Sequence, residues 1–573
     1  MLSQISLLIS AASTIAVATL NQRLINDGLF AGNALVIVQV GIWMLVLAVV
    51  GGAALAVTAA FAVFFAQGTA YYLRSELYGK IQSFSFANFD QFRTGNLMVR
   101  LNTDIVNVAN AVQYMVILLL YAPFMLIVAY GLVILRTPEL LWVLIVITLV
   151  VVAVMALLVP QIFKNYDLRQ KRLDALNNTL QENLAGVRVV KAFVREDLEI
   201  EKFSMRSEAM RQPAFGAAFR VAMLNPILTA IAQLGIALAI WAGGTRIIDQ
   251  TGFTVGSLVT FMQYVSLVIT PLALLAIVVP FLLRGDASAE RILEIVDAEP
   301  RVKDVSDAAT LDSKAVEGRV VFDNVSFSFQ RPDGKLDPPV IRNINLVIEP
   351  GQRVGILGAT GAGKTALVNL IPRFYDVTDG KVTIDGVDVR DIPQENLRQI
   401  VGIALQEAVL FQGDVRFNLK FAAPEAPDIT MEEAARAADS FGFVTNLPEQ
   451  WDAPVARRGY NFSGGQRQRL SMSRTLTAEP RVLILDDSTS ALDVATESRV
   501  QGAIPGFTNN VTTIYIAQRI SAVIDLDKIL LMENGEIVAE GAHEELLAAN
   551  KLYQEIYESQ LGGGLTANLE VSA

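Results

Sequence analysis

Gly358-Ala-Thr-Gly-Ala-Gly-Lys-Thr365 is the stretch that decides the fold of the second half of this chain. A glycine-rich loop that ends in a lysine and a hydroxyl residue lets consecutive backbone N–H groups surround phosphates, while Lys364 neutralises their charge and Thr365 ligates Mg²⁺. The pattern predicts an α/β P-loop domain that binds a nucleotide together with Mg²⁺. Its candidate nucleotide-binding residues are Gly358, Thr360, Gly361, Ala362, Gly363, Lys364, Thr365 and Ala366.

Two further segments restrict the class of nucleotide-binding domain. One is Phe462-Ser-Gly-Gly-Gln466, and the other is the apolar strand Val482-Leu-Ile-Leu-Asp486, which ends at a candidate Mg²⁺ ligand, Asp486. The alternative interpretation of the first segment is an incidental Gly-Gly turn. Taken together with the loop, the two segments resemble the ATPase domain of ABC transporters, whose substrate is ATP. The resemblance adds four candidate nucleotide-binding residues: Ser463, Gly464, Gly465 and Gln466.

The composition indicates that this ATPase works at a membrane. Of the 573 residues, 53% are hydrophobic and 18% are charged, and the mean hydropathy is +0.43, which is too apolar for an ordinary soluble protein. Buried helices of a soluble domain would carry a polar face, whereas residues 140–160 carry none. We therefore predict an all-α transmembrane domain of six spans, since six stretches approach or exceed the length that crosses a core of roughly 30 Å. They cover residues 2–20, 34–66, 109–135, 139–160, 221–247 and 255–284.

The charges between the spans predict the topology. Lys and Arg are abundant in residues 161–220, whereas the links 21–33, 136–139 and 245–254 are short and carry few charges. The positive-inside rule places the long connections in the cytoplasm, together with the ATPase that follows the sixth span. Residues 67–108 and 161–220 are expected to be helical arms, since about 25 helical residues reach nearly 40 Å beyond a membrane. We expect the protein in the inner membrane of a bacterial cell, surrounded by membrane lipid.

A polar connector sets the expected domain boundaries. Residues 297–318 lack apolar periodicity, so we expect a transmembrane domain over 1–300, a linker over 301–317 and a nucleotide-binding domain over 318–560. The glycine-rich tail, residues 561–573, is expected to be disordered. The first span begins almost at Met1 without an interfacial helix before it, which suggests a truncated start or a divergent first helix. Early ATPase strands are expected at 319–322, 326–330 and 353–357, with a hairpin loop over 331–339.

The overall charge and the absence of cysteine exclude other classes. A net charge of −11 without a basic tract argues against a nucleic-acid partner. Zero cysteines exclude disulfides and thiolate metal sites.

The layout of six spans, two long cytoplasmic arms and one ATPase domain is similar to a half-transporter of the ABC exporter type. By this resemblance, Phe329 stacks on adenine and Gln406 approaches Mg²⁺ and faces the arms. Asp493 would lie on the loop that crosses between two ATPase domains. The family's coupling helices would correspond to residues 94–108 and 186–203. The alternatives are a core strand aromatic for Phe329 and a solvated loop residue for Gln406.

Two positions depart from the family pattern. Asp487 stands where the family places the glutamate that polarises the attacking water, and its carboxylate is one methylene shorter. Gln518 stands where the family places a histidine that contacts the γ-phosphate. His543 is the single histidine of the chain and is expected at a helix start on the surface. We therefore expect this chain's own P-loop site to bind ATP and to hydrolyse it poorly.

The departures also predict a partner. ABC ATPases sandwich each nucleotide between the P-loop of one domain and residues 463–466 of the other. A homodimer would carry two poor sites, so we expect a heterodimer with a second half-transporter that supplies the glutamate and the histidine. This chain's residues 463–466, preceded by Phe462 in place of the usual leucine, would complete the partner's site. Arg457 occupies a position that is often acidic.

The resulting hypothesis is one subunit of a heterodimeric exporter of lipophilic or amphipathic small molecules. Two alternatives stay open: an exporter-type fold that imports, for instance, a siderophore, and an ABC-type regulator or channel without a pumped substrate. Polar side chains within the spans are explained by helix–helix hydrogen bonds at least as often as by substrate contact. They are Gln113, Tyr114, Asn225, Gln233, Gln263 and Tyr264.

Overall fold

The computed structural model describes residues 2–118, 121–250, 252–305, 309–331, 334–490, 492–507 and 510–562. Its contacts divide the chain into two compact units. The first unit comprises Met1–Gln82 and Gly95–Ala298, and the second comprises Ser83–Thr94 and Glu299–Ala573. Residues 563–573, which make up most of the tail expected to be disordered, lie outside the described residues.

The first unit is built from long helices. Among the described residues, six helical segments are long and apolar enough to cross a membrane: Leu2–Phe30, Ala34–Gln82, Thr94–Arg136, Pro138–Ala185, Glu196–Ile248 and Val255–Val296. Each contains one predicted span, so the prediction of six spans is confirmed. Large apolar side chains such as Trp43 (62% exposed) and Phe64 (74% exposed) point outward, as expected of a surface that contacts lipid.

The α-helices before residue 299 are, in chain order, α1 (Leu2–Arg23), α2 (Ala34–Gln82), α3 (Phe86–Gln91, which belongs to the second unit), α4 (Thr94–Val99), α5 (Ile105–Leu118), α6 (Tyr121–Arg136), α7 (Leu141–Ala185), α8 (Val187–Ala192), α9 (Glu196–Ile248) and α10 (Val255–Val296). The predicted continuation of the spans into helical arms is present in α2, α7 and α9. A buried core of Val133, Leu144, Phe261 and Val265 joins α6, α7 and α10.

The second unit contains two main β-sheets. The larger has the strand order β12-β11-β3-β10-β9-β6, in which β12 alone runs antiparallel to its neighbour. The smaller is antiparallel, with the order β2-β1-β4-β5. The strands are β1 (Val320–Phe327), β2 (Ile341–Ile348), β3 (Arg353–Leu357), β4 (Asp379–Ile384), β5 (Val387–Asp388), β6 (Val401–Ala404), β7 (Gly413–Asp414), β8 (Pro454–Val455), β9 (Val482–Asp486), β10 (Thr512–Ile516), β11 (Lys528–Glu533) and β12 (Glu536–Gly541).

Strands β9 and β10 of the larger sheet are buried at every position, as expected of central parallel strands that are covered on both faces. The further helices of this unit are α11 (Lys364–Asn369), α12 (Gln394–Ile400), α13 (Val415–Leu419), α14 (Asp428–Ala437), α15 (Phe441–Thr445), α16 (Gly464–Thr477), α17 (Val494–Phe507), α18 (His543–Ala549) and α19 (Lys551–Tyr557). His543 begins α18 as expected, and its Nδ1 lies 2.7 Å from the hydroxyl of Tyr553.

The structure corrects the expected strands at 319–322 and 326–330. One strand, β1, covers both halves of this region, and its pairing with β2 shifts register between Phe322 and Val325. Asn324, at the irregularity, has a left-handed φ of 49°, which lets the strand bulge and continue. Gln330 lies beyond β1 and forms an isolated bridge with Leu336.

The structure also corrects the expected coupling helix at 94–108. The segment that packs with the ATPase is Ser83–Thr94, whereas residues from Gly95 onward belong to the first unit. The ring of Phe86 stacks on Phe374 with centroids 4.1 Å apart, and Tyr375 donates a 2.8 Å hydrogen bond to Asp90. Asn88 donates to the carbonyl of Glu299 at 3.0 Å. These contacts between aromatic and polar groups far apart in the chain carry no periodic signal in the sequence.

Candidate functional site

The P-loop connects β3 to α11 and requires glycine at specific positions. Gly363 has φ 98°, and a Cβ there would lie 2.9 Å from the Ile341 side chain and 3.0 Å from the carbonyl of Val340. At Gly358, a Cβ would come within 2.3 Å of the carbonyl of Met532. The backbone can therefore curl tightly against β2 and β11 only because these residues lack a side chain.

Lys364 lies at the start of α11, buried inside the loop. Its ammonium donates hydrogen bonds to the carbonyls of Gly358, at 2.7 Å, and Ala359, at 2.9 Å. Burial lowers the pKa of Lys364, and the neighbouring carboxylates Asp487 and Asp486 oppose that shift. The lysine thus presents a partly desolvated cation next to the loop backbone, which suits a phosphate.

Two adjacent carboxylates end β9 beside the lysine. Thr365 Oγ1 donates to Asp486 Oδ1 at 3.2 Å, which brings the predicted Mg²⁺ ligands Thr365 and Asp486 together. Burial raises the pKa of both Asp486 and Asp487. A hydroxyl and a buried carboxylate are oxygen ligands of the kind Mg²⁺ takes alongside nucleotide phosphates, so the residues present fit that ion.

Asp487 has an unusual backbone conformation, and two glutamines donate to its side chain. Its φ of 47° is left-handed, a strained value for a residue other than glycine. Gln518 Nε2 donates to Asp487 Oδ2 at 3.0 Å, and Gln406 Nε2 approaches the same oxygen at 3.3 Å. The two amides thus converge on one carboxylate oxygen; we call this arrangement the amide clamp.

Most of the predicted nucleotide-binding residues line one cavity of about 310 Å³. Its volume falls within the range of about 300–1,000 Å³ that is typical of ligand sites. Its lining includes the predicted residues Phe329, Thr360, Gly361, Gly363, Lys364, Thr365, Ala366, Gln406, Asp486, Asp487 and Gln518. Gly358 and Ala362 support the loop without lining this cavity, and Ala362 is buried (6% exposed).

The sequence interpretation missed Tyr375 in this cavity. Its ring meets Phe329 edge-on, with centroids 5.5 Å apart and planes at 89°, and its hydroxyl bonds to Asp90. Phe329 also meets Phe327 edge-on at 4.9 Å. The Phe329 ring is therefore fixed by two neighbouring rings, and we call these three rings the aromatic wall. The signal for Tyr375 was weak, since a single tyrosine after α11 forms no recognisable pattern.

Residues 463–466 lie apart from the P-loop cavity in this chain. Ser463 is the N-cap of α16: its hydroxyl accepts from the N–H of Gln466 at 3.2 Å, and Gln466 Oε1 accepts from the N–H of Ser463 at 2.9 Å. This capping box fixes the first turn, whose N–H groups and dipole favour an anion. Asp493 is exposed, and its carboxylate accepts from the N–H of Thr496 at 2.9 Å.

Comparison with known proteins agrees with the architecture. Residues 1–272 match the family described as the ABC transporter transmembrane region, and residues 341–490 match the ABC transporter family. The chain is 34% identical to the uncharacterized ABC transporter ATP-binding protein YfiB of Bacillus subtilis, over 94% of this chain and 92% of that protein. It is 32% identical to the ATP-dependent lipid A-core flippase of Syntrophus aciditrophicus, over 97% of this chain and 91% of the flippase.

A solved structure shares the fold. A bacterial Atm1-family ABC exporter with ATP bound superposes with a TM-score of 0.79 and 24% identity, covering 98% of this chain and 97% of the exporter. The predicted fold class, ATPase activity and location in the inner membrane with a cytoplasmic ATPase are thereby confirmed. The chain belongs to the ABC transporters, as a half-transporter with one transmembrane domain and one ATPase domain.

Proposed function

We propose that this chain is one subunit of a heterodimeric, ATP-driven exporter, and that its own P-loop site holds ATP while the partner's site performs most hydrolysis. The main support for this proposal is the amide clamp, in which Gln518 and Gln406 both donate hydrogen bonds to Asp487 Oδ2 inside the P-loop cavity. A carboxylate that acts as a general base must lie within hydrogen-bond reach of the attacking water. A short carboxylate already engaged by two amides is poorly suited to that role.

The binding half of the site remains complete. Lys364 and the loop backbone would hold the phosphates, and Phe329 would stack on the adenine. Both side chains line the P-loop cavity, where Tyr375 packs edge-on against Phe329. Thr365, Asp486 and Gln406 would hold Mg²⁺, which supplies charge neutralisation at the phosphates when it is bound. Binding without efficient water activation is the expected result.

Residues 463–466 complete the partner's site in this proposal. Their separation from the P-loop cavity of the same chain supports a role toward a nucleotide held by another subunit. Exposed Asp493 would lie at the contact between the two ATPase domains. The α16 N-terminus that begins at Gly464 would supply backbone donors to phosphate oxygens there.

We propose lipophilic or amphipathic small molecules as the transported class. Six apolar helical segments per subunit would give twelve spans around the transport pathway. A relative that shares 32% identity is named an ATP-dependent lipid A-core flippase, which supports a lipid-like class of substrate. Uptake assays in inverted against right-side-out vesicles distinguish export from import, and stimulation of the ATPase by substrate distinguishes a pump from a regulator or channel.

The chain purified alone is expected to hydrolyse ATP about 10²-fold more slowly than the pair with its partner, because Asp487 and Gln518 replace the water-activating groups. The measurement compares kcat of this chain expressed with and without a half-transporter encoded in the neighbouring reading frame. A matched preparation of the partner alone serves as the control. Turnover by this chain alone at the rate of the pair would contradict the proposal.

ATP at this chain's P-loop is expected to persist through many turnovers of the pair. The groups that bind ATP are all present, whereas Asp487 is a poor general base for hydrolysis. Labelled ATP trapped on the pair and followed by rapid filtration should leave in two phases, a fast one and a slow one. Lys364→Ala should remove the slow phase, because it deletes the buried ammonium that faces the loop. One single release rate for both nucleotides in the unmodified pair would refute this account.

A further inference from the structure

The backbone that carries Gln518 lies just beyond the end of β10. The N–H of Ala517 donates to the carbonyl of Ile356 at 3.3 Å, which ties the residue before Gln518 to β3. Residues 518–520 then lead into a short 3₁₀ turn, Ile520–Ala522, whose N-cap residue Arg519 makes no side-chain capping hydrogen bond. The direction of the Gln518 side chain therefore depends on what other parts of the chain hold this connection in place.

Gln560 bridges this connection with its side-chain amide. Its Nε2 donates to the carbonyl of Gln518 at 3.1 Å, and its Oε1 accepts from the N–H of Ile520 at 2.8 Å. One planar amide thus pairs with a carbonyl and an N–H two residues apart, much as a residue of a neighbouring β-strand does. Because two bonds come from one rigid group, they fix the orientation of the backbone that carries Gln518.

The packing of the C-terminal helices holds Gln560 in place. This residue lies in a π-helical turn, Glu558–Gly562, which continues α19, and such turns are frequent at functional sites. Tyr553 of α19 is fully buried and belongs to the same apolar cluster as Ile520. The helix that carries Gln560 and the connection that Gln560 bridges therefore share one packed core.

The Gln560 bonds affect direction more than stability. Its side chain is exposed, so water could satisfy the same two backbone groups if the amide were lost. The direction that these bonds impose matters at Gln518, whose Nε2 donates to Asp487 Oδ2 at 3.0 Å. Asp487 follows the candidate Mg²⁺ ligand Asp486, so Gln518 lines the phosphate end of the P-loop cavity. Its amide nitrogen has a second hydrogen that remains available to a phosphate oxygen.

We infer that Gln560 is a positioning residue for nucleotide binding: it holds the backbone of Gln518 so that the Gln518 amide reaches both Asp487 and the terminal phosphate of ATP. Hydrogen bonds to phosphate are charge-assisted and depend strongly on direction. Groups of this kind need support from a second layer of hydrogen bonds. A nucleotide with a γ-phosphate should therefore sense the loss of Gln560, whereas one that ends at the β-phosphate should not. The inference rests on ATP binding at this P-loop and does not require the proposed heterodimer.

The test measures equilibrium binding of two nucleotides to the full-length chain in the presence of Mg²⁺. One is the non-hydrolysable ATP analogue adenylyl imidodiphosphate, and the other is ADP. Gln560→Ala should weaken binding of the analogue about tenfold and change binding of ADP less than twofold. Equal weakening of both nucleotides, or no weakening of either, would overturn the inference.

A double variant shows whether Gln560 acts through Gln518. Gln518→Ala alone should weaken binding of the analogue by a similar factor. Adding Gln560→Ala should weaken it no further, because the side chain whose direction Gln560 fixes is then absent. Multiplication of the two losses in the double variant would show that Gln560 acts by another route and would refute the positioning role.

The matched control is Gln554→Ala, which removes another amide from α19. Gln554 Nε2 donates to the carbonyl of Leu547 at 2.6 Å and makes no contact with residues 518–520 among the described contacts. Both affinities should stay within twofold; a selective loss as large as that in Gln560→Ala would assign the effect to helix packing and contradict the inference. Because the analogue is not hydrolysed, the outcome is independent of whether this chain's P-loop site is catalytically poor.

Discussion

Ser463→Arg in the assembled pair is expected to lower kcat by about 10³-fold, whereas Asp487→Asn should lower it by no more than about threefold. Ser463 caps α16 and, in the proposed pair, would face the partner's nucleotide. A bulky cation at this position would block the approach of the two ATPase domains. The Asp487 carboxylate already accepts from two amides, and in the proposed pair most flux would pass through the other site. Steady-state ATPase rates of both variants in the same paired preparation provide the comparison.

The matched control for this experiment is Ser463→Ala. It removes the same capping hydroxyl, at a cost of about 1 kcal/mol to the helix, without adding bulk or charge. The decrease in kcat that Ser463→Ala causes should therefore be much smaller than the decrease that Ser463→Arg causes. Equal losses in Ser463→Arg and Asp487→Asn would mean that this chain's own P-loop site is catalytic, and the asymmetric assignment would then be abandoned.

Asp487→Glu combined with Gln518→His is expected to increase hydrolysis at this chain's P-loop by about 10²-fold or more, the amount that a general base typically contributes. The longer carboxylate reaches further into the cavity, and the imidazole replaces the amide that now donates to Asp487 at 3.0 Å. The gain is best measured in the otherwise unmodified pair, as release of labelled phosphate from the slowly exchanging ATP, because Ser463→Arg would also keep this site from closing.

The two single variants separate the effect of the short carboxylate at residue 487 from the effect of the amide at residue 518. Asp487→Glu alone should gain little, because Gln518 and Gln406 still donate to the carboxylate; Gln518→His alone should gain little, because no longer carboxylate is present. A strong gain from Asp487→Glu alone would show that the amide clamp does not limit this site. The absence of any gain in the double variant would show that a further feature disables it.

The sequence alone determined the broad architecture. Six spans could be predicted because hydropathy is a property of contiguous residues and needs no knowledge of neighbours in space. The P-loop could also be predicted from the sequence, since its glycines, Lys364 and Thr365 lie in one continuous segment. The substitutions at Asp487 and Gln518 could be recognised because each stands at a fixed place after a predicted strand. Local sequence patterns were therefore sufficient to predict the fold class and the candidate nucleotide site.

Only the tertiary structure decided how those residues meet. Gln406 and Gln518 follow different strands, β6 and β10, which flank β9 in the sheet, and the strand order brings both amides onto one oxygen of Asp487. The docking of Phe86 and Asp90 on Phe374 and Tyr375 likewise joins segments that are remote in sequence. Such contacts depend on strand order and on the direction of side chains, which a linear sequence pattern does not encode. The amide clamp and the aromatic wall are therefore visible only in the tertiary structure.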